Sequence, residues 1–225
     1  MCELCHVSRR GVLGGLAATL LAAAGPAPAS SISGDQALKR LMDGNARYRA
    51  NKMNVRNYAA GRVAQVKIHR PIASILSCSD ARVSPELLFD QGPGDLFVVR
   101  IAGNVLEDEG LASLEYAAQF LACPLIFVMG HSNCGAVGAA VDAVEHNTAL
   151  PGHLPGLIDQ VKPAVLAAQA THPADLLKAS IIENARRTQQ AVASAQPLLA
   201  GLVGGGKLKV AAGVYDIAGG GVSLV

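Results

Sequence analysis

The sequence predicts an α/β fold: a mostly parallel central β-sheet flanked by helices, with an N-terminal helical arm. Three observations predict it. Apolar runs at 72–77, 96–101, 125–129 and 208–214 are continuous rather than alternating, as strands covered on both faces should be. Segments of helical spacing separate them, the order that a parallel sheet with crossover helices requires. Cysteine, histidine and charged residues follow two of the runs directly, at the strand ends where ligands bind in such sheets.

The first 29 residues read as an export signal of the twin-arginine type rather than as part of the fold. Ser8-Arg9-Arg10-Gly11 leads into an uncharged run from Gly11 to Ala24, and Ala27-Pro28-Ala29 offers a small-residue cleavage site. The run is shorter than the ~20 apolar residues a membrane span needs, and Gly14 and Gly15 interrupt it. The expected destination is the periplasm or another exported location, with no stable membrane anchor after cleavage. Residues 30–225 are then one domain, long enough for a sizeable core.

Within it, 34–51 carries Ala37, Leu38, Leu41, Ala46 and Tyr48 at spacings of three and four, an amphipathic arm for the main body or a partner. The stretch 55–67 is polar and weakly patterned. After the second strand, 111–121 is helical by its Leu111, Leu114, Ala117, Ala118 and Leu121 spacing. Further helices are expected at 136–144, at 156–170, and at 175–195 with Pro173 just ahead. Gly204-Gly205-Gly206 and Gly219-Gly220-Gly221 mark turns, and neither opens a helix in the manner of a phosphate cradle.

Nineteen basic against seventeen acidic side chains give a net charge of +2, and the leader removes only Glu3, Arg9 and Arg10 from that balance. Nothing in it calls for nucleic acid or an anionic membrane as partner. Of five cysteines, Cys2 and Cys5 precede the leader's arginines, leaving Cys78, Cys123 and Cys134. An odd number argues against a disulfide framework. A twin-arginine route carries folded chains, so a metal could be loaded before export. Cys2-x-x-Cys5-His6 matches the haem-attachment pattern, but it lies on the part to be discarded.

His131-Ser132-Asn133-Cys134-Gly135 closes the run 125–129, and Cys78-Ser79-Asp80-Ala81-Arg82 closes the run 72–77. Two strands ending in soft or borderline ligands read as a Cys2His zinc site, one ion per chain, on Cys78, His131 and Cys134. Three ligands rather than four leave a position for water or substrate, the mark of a catalytic zinc. Cys123 lies before its strand and belongs to the core. Asp80 is close enough to bind the ion or its water, and Arg82 can clamp that carboxylate. A released Asp80 would close the fourth position, and a clamped one would leave it open.

At these residues the sequence resembles a β-class carbonic anhydrase over nearly all of 30–225. The resemblance covers Gly44-Asn45-Ala46-Arg47, the two metal turns, Gly94-Asp95-Leu96-Phe97-Val98-Val99-Arg100 and Ala102-Gly103-Asn104. It continues through Ser113-Leu114-Glu115-Tyr116-Ala117 and Glu183-Asn184-Ala185-Arg186. It implies the same three zinc ligands, an Asp80–Arg82 catalytic dyad, and reversible hydration of carbon dioxide to bicarbonate. It also implies a homodimer or dimer of dimers, with Phe97 and Tyr116 lining an apolar substrate pocket near the interface. Gly135 would offer its backbone N–H to substrate.

The chain departs from the family pattern in three places. His69 stands where many members carry a substrate-holding glutamine, and an imidazole there could also relay protons. Ala81 replaces a commoner serine. With no tryptophan, the tryptophan-containing bicarbonate site that closes some members cannot be built in its usual form, which favours an open, Asp80–Arg82-paired state. Hydrolysis of carbonyl sulfide or carbon disulfide, or a non-catalytic zinc-binding role, are the alternative readings. His146, His153 and His172 read as solvated loop residues.

Overall fold

Residues 32–59, 62–66 and 69–225 are described here, from a computed structural model of the chain. The reading of residues 1–29 as an export signal lies outside the described residues, as do Cys2 and Cys5.

The four apolar runs become strands β1 (Ala73–Ser77), β2 (Leu96–Arg100), β3 (Leu125–His131) and β4 (Lys209–Tyr215). They pair in parallel, β2 on β1, β1 on β3 and β3 on β4. A short fifth strand, β5 (Val222–Leu224), adds antiparallel to β4, giving the order β2-β1-β3-β4-β5. From β1 the chain runs outward to β2 and then returns to the other side of β1. The gap between the carboxyl ends of β1 and β3 is therefore the switch point, where such sheets open a crevice.

Every residue of β1 and β3 is buried, as the continuous runs require. The other two strands are less covered: β2 holds the edge with Phe97, Val98 and Val99 half-buried, and β4 begins half-buried at Lys209. A run of apolar residues cannot by itself distinguish a central strand from an edge that awaits a cover.

The helices are α1 (Gly34–Arg49), the single turns α2 (Arg62–Gln65) and α3 (Pro85–Leu88), α4 (Asp108–Phe120), α5 (Gly135–His146), α6 (Leu154–Gln169), α7 (Leu176–Ser194) and α8 (Leu199–Gly204). A tight turn, Ala102–Asn104, follows β2. The arm α1 starts on a capping box: Gln36 N–H donates to Ser33 Oγ, and Ser33 N–H to Gln36 Oε1. It lies on the main body. Ala37 and Leu41 join Ile75, Phe89, Phe127 and Met129 on one face of the sheet. On the other face Leu114 of α4, Ala185 and Val192 of α7, and Leu199 of α8 cover Leu76, Ile126 and Val128. A third cluster, Val137 and Val141 of α5 with Ile158, Val161 and Val165 of α6, packs over Cys78 and Cys134.

Cys123 is 2% exposed and contacts Ser74 Oγ, and burial raises its thiol pKa, as befits a core residue rather than a ligand. No helix among the described residues is long and apolar enough to cross a membrane.

Candidate metal centre

Two strand ends build the centre. β1 runs straight into Cys78, and β3 delivers His131, after which the turn Ser132-Asn133 brings Cys134 to the N-cap of α5. Asn133 adopts φ +54, a conformation asparagine tolerates better than most residues, and this folds the turn back on itself. The ligand atoms of Cys78, His131 and Cys134 lie within 4.8 Å of one another, and all three residues are buried. The two sulfurs are 4.0 Å apart. Two thiolates on one tetrahedral zinc, each bound at ~2.3 Å, stand about 3.8 Å apart.

The histidine is oriented for the same purpose. Its Nδ1 lies 3.0 Å from the Ser132 carbonyl, which assigns the proton to Nδ1 and leaves Nε2 with a lone pair. That Nε2 is buried and has no hydrogen-bond partner. An orphaned acceptor beside two sulfurs is costly unless something binds it. The donor set therefore fits zinc.

Without a metal the two thiols share their protons unequally. The hydrogen bond from Cys134 draws the Cys78 pKa down to about 4 against the opposing effect of burial, with His131 and the Gly103 N–H helping. The same bond, with burial, pushes Cys134 well above the ordinary thiol range. Burial disfavours the His131 imidazolium, but the adjacent Cys78 thiolate outweighs it and the net shift is upward.

Asp80 faces Arg82. Arg82 donates from Nε to Oδ1 at 2.9 Å, from Nη2 to Oδ2 at 2.7 Å, and from its backbone N–H to Oδ1 at 2.9 Å. Those bonds, the guanidinium's above all, hold the Asp80 carboxyl well below the usual carboxylate range. Oδ2 stays 3.9 Å from His131 Nε2, beside the ligands without joining them. Asp80 is thus paired with Arg82. Gly135 is the first residue of α5, so its N–H belongs to the turn that no intrahelical carbonyl satisfies, and space lies open beside its Cα.

The remaining candidates sit elsewhere. His69, Phe97, Tyr116 and Phe120 form a row of rings with centroids 5.5–6.3 Å apart. Phe97 pairs with Ser74, near the start of β1. Four residues of strand separate that level from Cys78, roughly 13 Å. Within one chain, a molecule as small as carbon dioxide cannot touch both the aromatic row and the three ligands.

The structure also shows residues that the sequence reading missed. Arg100 donates from Nε to the Cys78 carbonyl at 3.1 Å and from Nη2 to the Asp80 carbonyl at 2.6 Å, pinning the first metal turn. Gly103 N–H lies 3.3 Å from Cys78 Sγ. Ser132 Oγ accepts from Ile217 N–H at 2.9 Å and contacts Asp216, tying the second turn to the end of β4. All act through backbone atoms or on loops, so residue type alone gave little signal. Arg100 and Gly103 do lie in stretches that carry the resemblance.

Known proteins bear on this geometry. The sequence model of the carbonic anhydrase family matches residues 73–222. The chain is 41% identical over 131 residues to a carbonic anhydrase of Mycolicibacterium smegmatis, 58% of this chain and 64% of that one. It is equally identical over the same length to carbonic anhydrase 2 of Mycobacterium tuberculosis H37Rv, covering 63% of it. The match thus spans a little under two thirds of these relatives. Among solved structures, the Coccomyxa β-carbonic anhydrase in complex with acetazolamide superposes with a TM-score of 0.65 at 28% identity, over 74% of this chain and 77% of that one. The β-carbonic anhydrase CcaA gives 0.62 at 25% identity, over 83% and 94%. By its sequence, its sheet and the residues at the end of that sheet, the chain belongs to the carbonic anhydrase family, in its β class.

Proposed function

We propose that the chain catalyses the reversible hydration of carbon dioxide to bicarbonate and a proton, with one zinc ion on Cys78, His131 and Cys134. The observation that carries this reading is the convergence of three buried donors, one an unpartnered imidazole nitrogen, beside an arginine-clamped carboxylate. Zinc held there supplies a Lewis acid that makes a coordinated water acidic enough to act as nucleophile, and three protein ligands leave the position for it. The residues do the rest. Asp80, kept ionised and turned by Arg82, accepts a hydrogen bond from a donor at that position and orients it. The N–H of Gly135, left unpaired at the start of α5, is the donor we assign to a substrate oxygen. Two thiolates and a neutral imidazole balance the ion's charge, so the surroundings stay suited to an apolar, linear substrate.

The site is completed by a second copy of the chain. His69, Phe97 and Tyr116 lie too far from their own metal ligands to serve them, while Tyr116 is 48% exposed and the β2 edge is half-covered. A dimer joined along that edge sets one copy's aromatic row over the other's ligands. The arginine pair and short apolar run of residues 1–29 support export by the twin-arginine route; fractionation of the expressing cell tests it.

Oxygen-18 exchange between carbon dioxide and water tests the catalytic reading. Zinc-loaded protein is expected to accelerate the exchange, and an uncatalysed rate from such protein overturns the proposal.

A further inference from the structure

Asn184 has no part in the centre as described so far, yet it is 3% exposed and its side chain is committed. From α7, its Nδ2 donates to the Gly103 carbonyl at 2.7 Å. Gly103 in turn presents its N–H to the Cys78 sulfur at 3.3 Å. The turn between these bonds is not one the backbone prefers. Gly103 has φ +71 and Asn104, directly after it, φ +46. Successive left-handed residues persist only where their surroundings fix them. Asn104 N–H closes locally on the Ile101 carbonyl at 2.8 Å, and the Asn184 bond anchors the turn to α7. From the far side Ala136 and Val161 press close, leaving no room for a Cβ at Gly103 without a shift.

We propose that Asn184 is a positioning residue of the metal centre: by holding the Gly103 carbonyl, it aims the Gly103 N–H at the Cys78 thiolate. The two sulfurs lie 4.0 Å apart, and two thiolates held that close on a metal would repel one another; a hydrogen bond donated to one of them withdraws part of its charge. Outer contacts of this kind orient a ligand and set how tightly it binds. The inference rests on the metal-centre reading and not on the hydration of carbon dioxide, so it is tested without an activity assay.

Asn184→Ala removes the donor, and Asn184→Asp replaces it with an acceptor of the same shape. The zinc dissociation constant of the folded full-length chain is measured by chelator competition, and the thiolate-to-metal charge-transfer band is recorded on cobalt-substituted protein. Both variants are expected to bind zinc ~10–100-fold more weakly and to shift the band. The control is Thr188→Ala, one turn along the same helix and 7% exposed, which is expected to lower the melting temperature while leaving affinity and band unchanged. An Asn184 variant that folds, melts lower and keeps the wild-type affinity and band shows a merely structural role and overturns the inference while leaving the metal centre intact. A wild-type chain that binds no zinc overturns both.

Discussion

Asp80 is held by three hydrogen bonds from one residue, and that explains why it stands beside the ligands rather than among them. Asp80→Asn keeps the shape and removes the charge; hydration is expected to fall by roughly 10²-fold or more, the usual scale for losing a proton-handling group. Zinc content should stay at one per chain, because Asp80 is not a ligand here, and metal analysis checks that. A variant that loses zinc along with activity would instead make Asp80 part of the donor set. The five residues Cys78, Asp80, Arg82, His131 and Cys134 were legible because their side-chain types, placed just after buried runs, have few other uses. Arg100, Gly103 and Asn184 were not. Their contribution passes through carbonyls and N–H groups, and whether a backbone group faces a sulfur depends on dihedral angles that residue types do not announce.

Among the elements, α1 is the one whose attachment is most specific. Gly44 lies so close to the Phe89 carbonyl that any Cβ would overlap it. Next to it Asn45, 3% exposed, donates to the carbonyls of Leu88 and Gly220 and accepts from Val222 N–H. One side chain thus ties α1 to the end of α3 and to the β4–β5 turn. Asn45→Ala strands two buried backbone groups and one half-buried one, and is expected to cost about 2–4 kcal/mol, read as a lower urea midpoint. Asp90 is the second anchor. It is fully buried and takes Nε of Arg47 at 2.5 Å, Nη1 of Arg56 and the amide of Asn54. Burial raises its pKa, but those bonds outweigh burial and the net shift is downward. A carboxyl lowered in the folded state adds stability above its unfolded pKa of ~3.9, and that contribution fades as pH falls through the folded value. Asp90→Asn is therefore expected to cost about 3 kcal/mol at pH 7 and progressively less below pH 4. A difference that stays constant down to pH 2 would contradict this. Asn also suits the left-handed φ of +47 at this position, so backbone strain does not confuse the comparison. The arm was legible from its helical period and the four parallel strands from their unbroken apolar runs. β5, α3 and α8 were not: each is only three to six residues long, and β5 is set by its antiparallel pairing with β4 rather than by a pattern of its own.

For the whole molecule, the separation of the aromatic row from the ligands makes the proposed dimer part of the chemistry. Mixing inactive Cys134→Ser with a weakened Tyr116→Ala, after dissociation and reassociation, is expected to restore about a quarter of wild-type hydration, because each mixed dimer regains one complete site. No recovery would place the rings and the ligands in the same copy's site, against the geometry. The sequence could name Phe97 and Tyr116 through the resemblance, but only the strand register showed that Phe97, with the Tyr116 ring beside it, sits toward the far end of β1 from Cys78. The most direct measurement of the central claim is carbon dioxide hydration by stopped flow as zinc is titrated into metal-free protein. Activity should rise in proportion to bound zinc, stop rising at one ion per chain, and stay at background in Cys134→Ser. A chain that holds one zinc on these residues and leaves the hydration rate at background would contradict it.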